Sequence, residues 1–429
     1  MPAAVSKARV LQMDRNDPLL RFRRNFFLPR KMIYMDGNSL GLQSRSAARK
    51  VRQVLDDWRN LGIGGWLDGN PPWFTLSESL GKRASPLVGA LPGEVVATGT
   101  TTVNIHSLVA SFFDPIPGRD RILADELNFP TDLYALAGQL RLRGLDPSRH
   151  LVRVASRDGR TLMEEEIIAA MDKNVALVFL PSVLFVSGQL LDLPRLTAAA
   201  RQRGIVIGFD LSHSAGAVPH HLHEWGVDFA LWCSYKYLNG GPGSPAFLFV
   251  HERHHGSRFP RMPGWFGYQK QKQFDLLPEF NPQPDAGGWQ ISSPGILGAA
   301  AVAGALEISL EAGIEAIRER SLRLTELLMR LADERLSAPP YSFTVVNPRH
   351  AERRGGHVAL ARNQEALRIA AALRARGIIP DFRPPDVIRI APVALYNTAL
   401  EVYQVVEALR EIVDNREYTR FQTVRGAIT

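Results

Sequence analysis

The chain is predicted to fold as an α/β protein with a mostly parallel central sheet, helices on both faces, and a smaller α+β domain. Between about residues 75 and 300, apolar segments of strand length alternate with helical segments. These strand segments are apolar at consecutive positions, which is typical of strands buried on both faces of a parallel sheet. After about residue 300 the sequence becomes helical and rich in alanine and leucine, and short strands then alternate with helices.

Three predicted parts follow one another along the chain. Residues 1–74 form an N-terminal arm and a pocket loop, residues 75–300 a large domain, and residues 301–429 a small C-terminal domain. The arm begins with a charged segment that we expect to be helical, and apolar residues at helical spacing predict a second helix over 45–60. The loop after that helix is rich in glycine and tryptophan, as binding-site walls often are.

The large domain supplies the sheet and the helices that cover it. Its strands are predicted at 94–98, 120–124, 151–154, 175–183, 204–210, 227–233 and 245–250. The helices between them include 103–113, 131–143, 164–171 and 193–203. Ligands of such sheets bind at the carboxyl ends of the strands, so the residues that follow each strand are candidates for a site.

The small domain is predicted from shorter elements. A helical region covers 296–335, and Thr419–Thr429 is expected to be a loose tail. The remaining strands are predicted at 342–346, 357–361, 378–383 and 387–391, with helices at 363–376 and 398–414.

Composition excludes several classes of protein. Lys and Arg number 51 against 43 Asp and Glu, and the net charge of +8 is scattered without a basic block, which argues against nucleic-acid binding. The single cysteine, Cys233, permits no internal disulfide and suits a reducing compartment. The N-terminus has no signal-peptide core, and the longest apolar stretches are too short to span a bilayer. We therefore expect a cytoplasmic protein without a membrane partner.

Lys236 stands at the end of a strongly apolar strand. The run Phe229–Cys233 stops at Ser234-Tyr235-Lys236-Tyr237, and the glycine-rich turn 239–243 follows. A lysine held at this position can be desolvated and made nucleophilic, and we interpret it as a Schiff-base lysine for an aldehyde cofactor. The alternative is a strand-end lysine that extends into water.

Asp210 ends the strand that precedes the Lys236 strand, so the two residues stand at neighbouring strand ends. A buried carboxylate needs a partner, and a protonated pyridine nitrogen benefits from one because the ring then accepts electrons. An Asp and a Lys at neighbouring strand ends indicate this chemistry more specifically than either residue alone. A buried Asp–Lys salt bridge is the alternative.

Two other strand ends carry candidate ligands. Thr101 and Thr102 open a helix, where hydroxyl and N–H groups can bind a phosphate, although ordinary N-capping explains them equally well. Phe129 follows another strand and can lie flat on an aromatic cofactor, or it can simply pack in the core.

Two histidine-rich segments are not interpreted as metal sites. His251–His255 matches the H-E-x-x-H pattern of zinc proteases, but it follows a strand and precedes Gly256, so no helix places both histidines on one face. His220, His221 and His223 lack a clear carboxylate partner in sequence, and we expect a surface cluster. No metal is predicted.

Several motifs taken together resemble the kynureninase family, whose members have the type I fold of pyridoxal-phosphate enzymes. They are spread over nearly the whole chain, at 36–41, 208–216, 225–230, 234–239, 264–267 and 389–397. The resemblance implies a pyridoxal 5'-phosphate cofactor bound by the large domain, and a homodimer with shared active sites. It implies hydrolysis of L-kynurenine to anthranilate and L-alanine in tryptophan catabolism and NAD biosynthesis.

The resemblance also implies a role for individual residues. Lys236 carries the cofactor and acts as a base, Asp210 pairs with the pyridine nitrogen, and Tyr235 transfers protons. The other implied cofactor contacts are Thr101, Thr102, Phe129, Asp132 and His213, with Trp265 and Ser293 supplied by the second subunit. Arg389 binds the substrate carboxylate, and Trp66 and Ser292 hold the aryl ring.

Three positions depart from the family pattern or bear on specificity. Ser293 stands where relatives often have Asn or Thr, and Pro181 where others can place a serine, so the latter contact is not carried over. Trp66 resembles the bacterial form and favours kynurenine over its 3-hydroxy derivative. Two alternatives are another type I enzyme, such as a cysteine desulfurase or an aminotransferase, and a non-catalytic regulatory protein with the same fold.

Overall fold

A computed structural model describes residues 5–256 and 259–423. The strands are β1 (Ile33–Tyr34), β2 (Val95–Ala97), β3 (Arg121–Asp125), β4 (Leu151–Val154), β5 (Val175–Pro181), β6 (Val206–Asp210), β7 (Phe229–Trp232), β8 (Phe247–Val250), β9 (Thr344–Val345), β10 (Val358–Ala361), β11 (Ile378–Ile379), β12 (Asp381–Arg383) and β13 (Val387–Ile390). The helices are α1 (Lys7–Arg15), α2 (Arg45–Leu61), α3 (Gly65–Asp68), α4 (Leu76–Ala84), α5 (Thr101–Phe112), α6 (Pro130–Leu142), α7 (Pro147–His150), α8 (Glu164–Ala169), α9 (Leu193–Gln202), α10 (Leu222–Trp225), α11 (Ile296–Ala312), α12 (Ile314–Leu336), α13 (Ala366–Ala375) and α14 (Ala399–Asp414). Part of the predicted tail, residues 424–429, lies outside the described ranges.

The central sheet has seven strands in the order β2-β8-β7-β6-β5-β3-β4. Strands β4, β3, β5, β6 and β7 run parallel, and only β8 and β2 pair antiparallel with their neighbours. Apolar clusters cover both faces of the sheet, because its strands are apolar at consecutive positions. The predicted α/β fold with a mostly parallel sheet is confirmed, and each predicted strand of this sheet is present within two residues of its expected ends.

Strand register brings the two main candidate residues to one edge of the sheet. In the parallel pair β6–β7, Asp210 lies beside Leu231, and Lys236 follows the end of β7 by four residues. Position 208 in β6 requires glycine, because a Cβ there would lie 2.2 Å from the ring of Phe229. A larger residue would separate the strands that place Asp210 next to Lys236.

The C-terminal part forms a second sheet, β12-β13-β10-β9, which is antiparallel. Helices α12, α13 and α14 and the N-terminal α1 contribute to its apolar core. The predicted helix 296–335 is two helices, because Gly313 adopts a φ of +77° between α11 and α12. The predicted strand 378–383 is also divided, since Pro380 lacks an N–H; β11 pairs with β1 and β12 with β13.

Helix α11 crosses the predicted boundary at residue 300, and its side chains pack in the core of the large domain. The predicted boundaries at residues 74 and 300 stay a prediction. Within the described ranges, no single helix is long and apolar enough to cross a membrane; α11 and α12 meet that test only as a pair bent by 80°.

Candidate active site

A cavity of about 280 Å³ opens at the carboxyl ends of the parallel strands. Most of the predicted site residues line it: Thr101, Thr102, Phe129, Asp210, His213, Tyr235, Lys236 and Arg389. They come from five separate parts of the sequence, so the fold and not local sequence assembles them. The position agrees with the rule that ligands of open α/β sheets bind outside the carboxyl ends of the strands.

Lys236 is in contact with His213 inside the cavity. Its Nζ lies 3.0 Å from His213 Nε2 and 5.9 Å from the centre of the Phe129 ring. Burial, and then the charge of Lys236, hold the pKa of His213 well below its usual range. His213 is therefore neutral, and its Nε2 can accept a hydrogen bond from the lysine amine.

Two carboxyl groups, Asp210 and Asp132, lie side by side behind the cavity. Ser212 N–H donates to Asp210 Oδ1 at 2.7 Å, whereas neither oxygen of Asp132 has a donor among the described residues. Burial raises the pKa of both groups, and the charge of Asp210 raises that of Asp132 further. Lys236 opposes these shifts. Two desolvated carboxyls at a cavity wall form a site where a cationic ring nitrogen can bind.

The opposite end of the cavity is suited to an anion. Helix α5 begins there at Thr101, whose Oγ1 is buried and has no partner within residues 5–256 and 259–423, while Thr102 Oγ1 lies 2.9 Å from Thr131 Oγ1. Gly99 precedes the helix with a φ of +55°, and a Cβ there would lie 2.5 Å from Asn104 Oδ1. Free hydroxyl and N–H groups at a helix N-terminus bind phosphate.

Two aromatic residues complete the walls. Phe129 packs edge to face on Phe185, with their ring centres 5.2 Å apart, and its own ring face lies toward Lys236. Burial raises the pKa of the Tyr235 phenol. Tyr235 is therefore protonated at neutral pH and can donate a proton or a hydrogen bond.

Arg389 reaches the cavity from the small domain and is only 1 % exposed. Its Nε donates to Asp381 Oδ2 at 2.5 Å, one terminal nitrogen donates to the Phe185 carbonyl at 2.7 Å, and the other donates to Ser39 Oγ at 3.2 Å. Burial lowers the pKa of Arg389, and the Asp381 carboxylate opposes the shift. These contacts hold a guanidinium in a fixed orientation, as recognition of a carboxylate requires.

The sequence did not identify Asp381 or Ser39 as supporting residues. Asp381 lies directly across from Arg389 in the antiparallel pair β12–β13, so a hairpin prediction at this point could have found it. Ser39 belongs to the polar turn after β1, in the segment 36–41 that is one of the motifs of the family resemblance.

Five predicted residues do not line this cavity in their own chain. One is Asp132, which lies buried beside Asp210, and the other four are Trp66, Trp265, Ser292 and Ser293. These four lie near one another in a separate place. The Trp66 ring lies 5.8 Å from that of Phe266, and Phe266 N–H donates to the Ile291 carbonyl. Trp265 is 44 % exposed, and both serines are exposed. The roles of these four residues stay predictions, and those of Trp265 and Ser293 were predicted for a second subunit.

The expectation of a histidine surface cluster is wrong. His220 is buried, with its Nε2 2.8 Å from Ser214 Oγ, and His223 has a carboxylate partner in Glu94, 129 residues earlier in the chain. In the H-E-x-x-H segment, residues 252–254 form a short 3₁₀ turn, and His255 Nε2 lies 2.9 Å from the Val250 carbonyl oxygen. That segment does not place two histidines on one helical face.

Comparison with known proteins decides the family. The kynureninase of Geobacillus thermodenitrificans is 53% identical over 417 residues, which are 97% of this chain and 96% of the relative. The kynureninase of Bacillus cereus is 51% identical over 418 residues, which are 97% of each chain. The chain belongs to the kynureninase family. The model of the kynureninase C-terminal domain matches residues 317–409, which include Arg389.

Solved structures confirm the type I fold that kynureninases share with other enzymes. A cysteine desulfurase from Thermococcus onnurineus superimposes with a TM-score of 0.75 at 18% identity, over 92% of this chain and 98% of its own. A C-DES variant with glycine covalently linked to its pyridoxal-phosphate cofactor has a TM-score of 0.77 at 16% identity, over 91% and 99%. At these identities, the likeness shows the fold alone.

The cofactor of this kynureninase family member is pyridoxal 5'-phosphate, and the cavity fits it. Lys236 offers an amine for the aldehyde, the buried Asp210 and Asp132 carboxyls can face the ring nitrogen, and the unpartnered Thr101 hydroxyl can bind the phosphate. Two groups that have no partner among the described residues, the Thr101 hydroxyl and the Asp132 carboxyl, are thus groups that this cofactor would satisfy.

Arg389→Lys is expected to raise KM for L-kynurenine about 10- to 100-fold with a smaller effect on kcat. The substitution keeps the charge opposite Asp381 but removes the planar, paired donors, and hydrogen bonds to charged groups contribute about 1.5–3 kcal/mol each. Steady-state kinetics measure the effect, with Arg376→Lys as the control because its partners Glu411 and Glu417 lie away from the cavity. An unchanged KM would remove Arg389 from substrate binding.

Proposed function

We propose that this chain is a pyridoxal-phosphate-dependent kynureninase that hydrolyses the Cβ–Cγ bond of L-kynurenine to anthranilate and L-alanine. One observation supports it above the others: a single cavity brings together the Lys236 amine, the buried Asp210 carboxyl and the oriented Arg389 guanidinium. The reaction belongs to tryptophan catabolism. Cleavage of 3-hydroxykynurenine is the weaker expectation, because Trp66 resembles the form that favours the unsubstituted ring.

The cofactor, when bound, withdraws electrons from the substrate carbon that carries the amine and makes the bonds of that carbon and its neighbour labile. Lys236 would hold the cofactor through its amine. Once the substrate amine has taken that place, Lys236 Nζ would take the Cα proton of the substrate and return it before alanine leaves. Neutral His213, 3.0 Å from that nitrogen, accepts a hydrogen bond from the amine and positions it. Asp210 would pair with the ring nitrogen of the cofactor and keep it protonated.

The remaining residues bind the substrate and move protons at its carbonyl. Arg389 binds the α-carboxylate of the substrate. Phe129 would lie against the cofactor ring, and Thr101 and Thr102 would bind the cofactor phosphate. The Tyr235 phenol, which is protonated at neutral pH, donates to the Cγ carbonyl as water adds there. Water supplies the hydroxyl that stays on Cγ as anthranilate and the proton that completes Cβ as alanine.

We also propose a homodimer with shared active sites. The exposed Trp265 and Ser293 of one subunit would contact the phosphate in the other, and Trp66 and Ser292 would hold the aryl ring. Their position away from the Lys236 cavity of their own chain supports this assignment. Sedimentation velocity tests it, and a fully active monomer would contradict it. With its single cysteine, the chain suits the reducing cytoplasm.

The alternatives have less support. A cysteine desulfurase needs a mobile, reactive cysteine, whereas Cys233 is buried and burial raises the pKa of its thiol. A non-catalytic protein that only holds the cofactor has no need of Arg389, whose guanidinium lines the same cavity as Asp210 and Lys236.

An anthranilate fluorescence assay tests the function directly. The purified, cofactor-loaded protein is expected to release anthranilate from L-kynurenine, to cleave 3-hydroxykynurenine more slowly, and to release no sulfide from cysteine. Release of sulfide without anthranilate would replace the proposal with a desulfurase, and no turnover of any of the three substrates would favour the non-catalytic alternative.

A further inference from the structure

Glu94, His223 and His251 meet beside the central sheet, at the end of β7 that is opposite to Lys236. His251 follows β8, whose last residue, Val250, pairs with Phe229 at the start of β7. Lys236 follows the other end of β7, so the two places are separated by the length of that strand. This cluster is therefore no part of the cavity described above.

The three side chains offer their donor atoms to one point. Glu94 Oε1 lies 2.9 Å from His223 Nδ1 and 3.5 Å from His251 Nδ1, and all three atoms lie within 4.8 Å of one another. Zinc binds imidazole nitrogen and carboxylate oxygen at about 2.0–2.2 Å. Donors at these separations can surround one such ion with small side-chain movements.

Neighbouring groups orient the donors. Glu94 Oε2 accepts from Leu91 N–H at 2.8 Å, which directs Oε1 toward the histidines. His251 Nε2 lies 3.3 Å from the His223 carbonyl oxygen and donates to it, which leaves a lone pair on Nδ1. Supporting hydrogen bonds of this kind accompany metal-binding histidines. The Arg253 and Glu252 N–H groups also approach His251 Nδ1 and Glu94 Oε1, and an ion would compete with them.

Burial and charge also favour a cation here. The Glu94 side chain is 0% exposed, and a buried carboxylate needs a counter-charge. The Arg253 guanidinium does not supply it, because it donates to Asp228 at 2.6 Å. Without an ion, the partner of Glu94 is His223 at 2.9 Å, and a bound cation would take over that role while His223 Nδ1 gives up its proton. His223 is 29% exposed, so the site has an opening toward solvent where a water molecule can complete a four-coordinate ion.

We propose that Glu94, His223 and His251 form a binding site for a divalent transition-metal ion of the zinc type, separate from the catalytic cavity. The ion would link three segments that are distant in sequence: the turn before β2, helix α10 and the end of β8. Its role would be structural, because it would connect the antiparallel strands β2 and β8 to helix α10.

Metal titration of the cofactor-loaded protein tests the proposal. After treatment with a chelator and dialysis, the protein is expected to bind one zinc ion per chain by calorimetry, to rise in Tm with zinc, and to give the visible bands of four-coordinate cobalt with Co²⁺. His223→Ala should weaken zinc binding at least about tenfold. His221→Ala is the matched control, because that exposed histidine lies beside α10 outside the cluster, and it should bind zinc like the parent chain.

Two results would overturn the proposal. Absence of stoichiometric zinc binding by the parent chain would leave the cluster as a Glu94–His223 ion pair only. Equal zinc affinity of His223→Ala and the parent would assign the ion to other histidines or to the cofactor phosphate. Turnover of L-kynurenine and the metal-free Tm establish that each variant is folded, and His223→Gln replaces the alanine variant if that protein does not fold.

Discussion

Lys236→Ala is expected to lower kcat for L-kynurenine by about 10³-fold or more, because it removes both the attachment point of the cofactor and the base that takes the Cα proton. The Lys236 amine lies in the cavity 3.0 Å from the His213 imidazole, which cannot form the Schiff base that a lysine amine forms with an aldehyde. Single-turnover release of anthranilate measures the loss.

The matched control for this substitution is Lys173→Ala. Lys173 is exposed in the turn before β5 and lies outside the cavity, so its removal should leave turnover unchanged. Anthranilate release by Lys236→Ala at more than about a tenth of the parent rate would mean that another group takes the Cα proton.

Asp210→Asn is expected to lower kcat about 10²–10³-fold, the size of effect seen when one preorganised electrostatic contact is removed. Asparagine has nearly the same shape and can keep the hydrogen bond from Ser212 N–H to Oδ1, but it cannot hold a proton on the ring nitrogen. Steady-state kinetics measure the loss, and the bound cofactor is quantified by its visible absorbance.

The same substitution should leave the cofactor-free protein as stable as the parent, or more stable. Burial raises the pKa of Asp210, so its charge disfavours folding as pH rises above the ordinary carboxyl pKa, and asparagine removes that charge. Thermal unfolding of the cofactor-free proteins at pH 8 tests the sign. A near-normal kcat would place the partner of the ring nitrogen elsewhere, with Asp132 as the next candidate.

Sequence alone predicted the sheet and the edge at which the site lies. The strands that carry Asp210 and Lys236 are buried on both faces, so their apolar runs and the polar residues that end them are visible in the sequence. Breaks caused by one residue were missed: Gly313 turns the long helix, and Pro380 divides a strand, although both residues are recognisable breakers.

Contacts between distant segments could not be predicted in this way. Glu94 and His223 are 129 residues apart, and only the pairing of β2 with β8 and the position of α10 bring them together. The assignments of Trp66 and Trp265 came from family resemblance, and one chain shows only that they lie outside the Lys236 cavity. Their roles stay a prediction, and that of Trp265 also depends on a second subunit.

Borohydride reduction followed by peptide mapping tests the central claim most directly, namely that the cavity at the strand ends holds pyridoxal 5'-phosphate on Lys236. The loaded protein is expected to absorb visible light, to lose that absorbance on reduction, and to carry one cofactor per chain on the peptide that contains Lys236. A cofactor attached to a different lysine, or a colourless protein with no reducible adduct, would contradict the account.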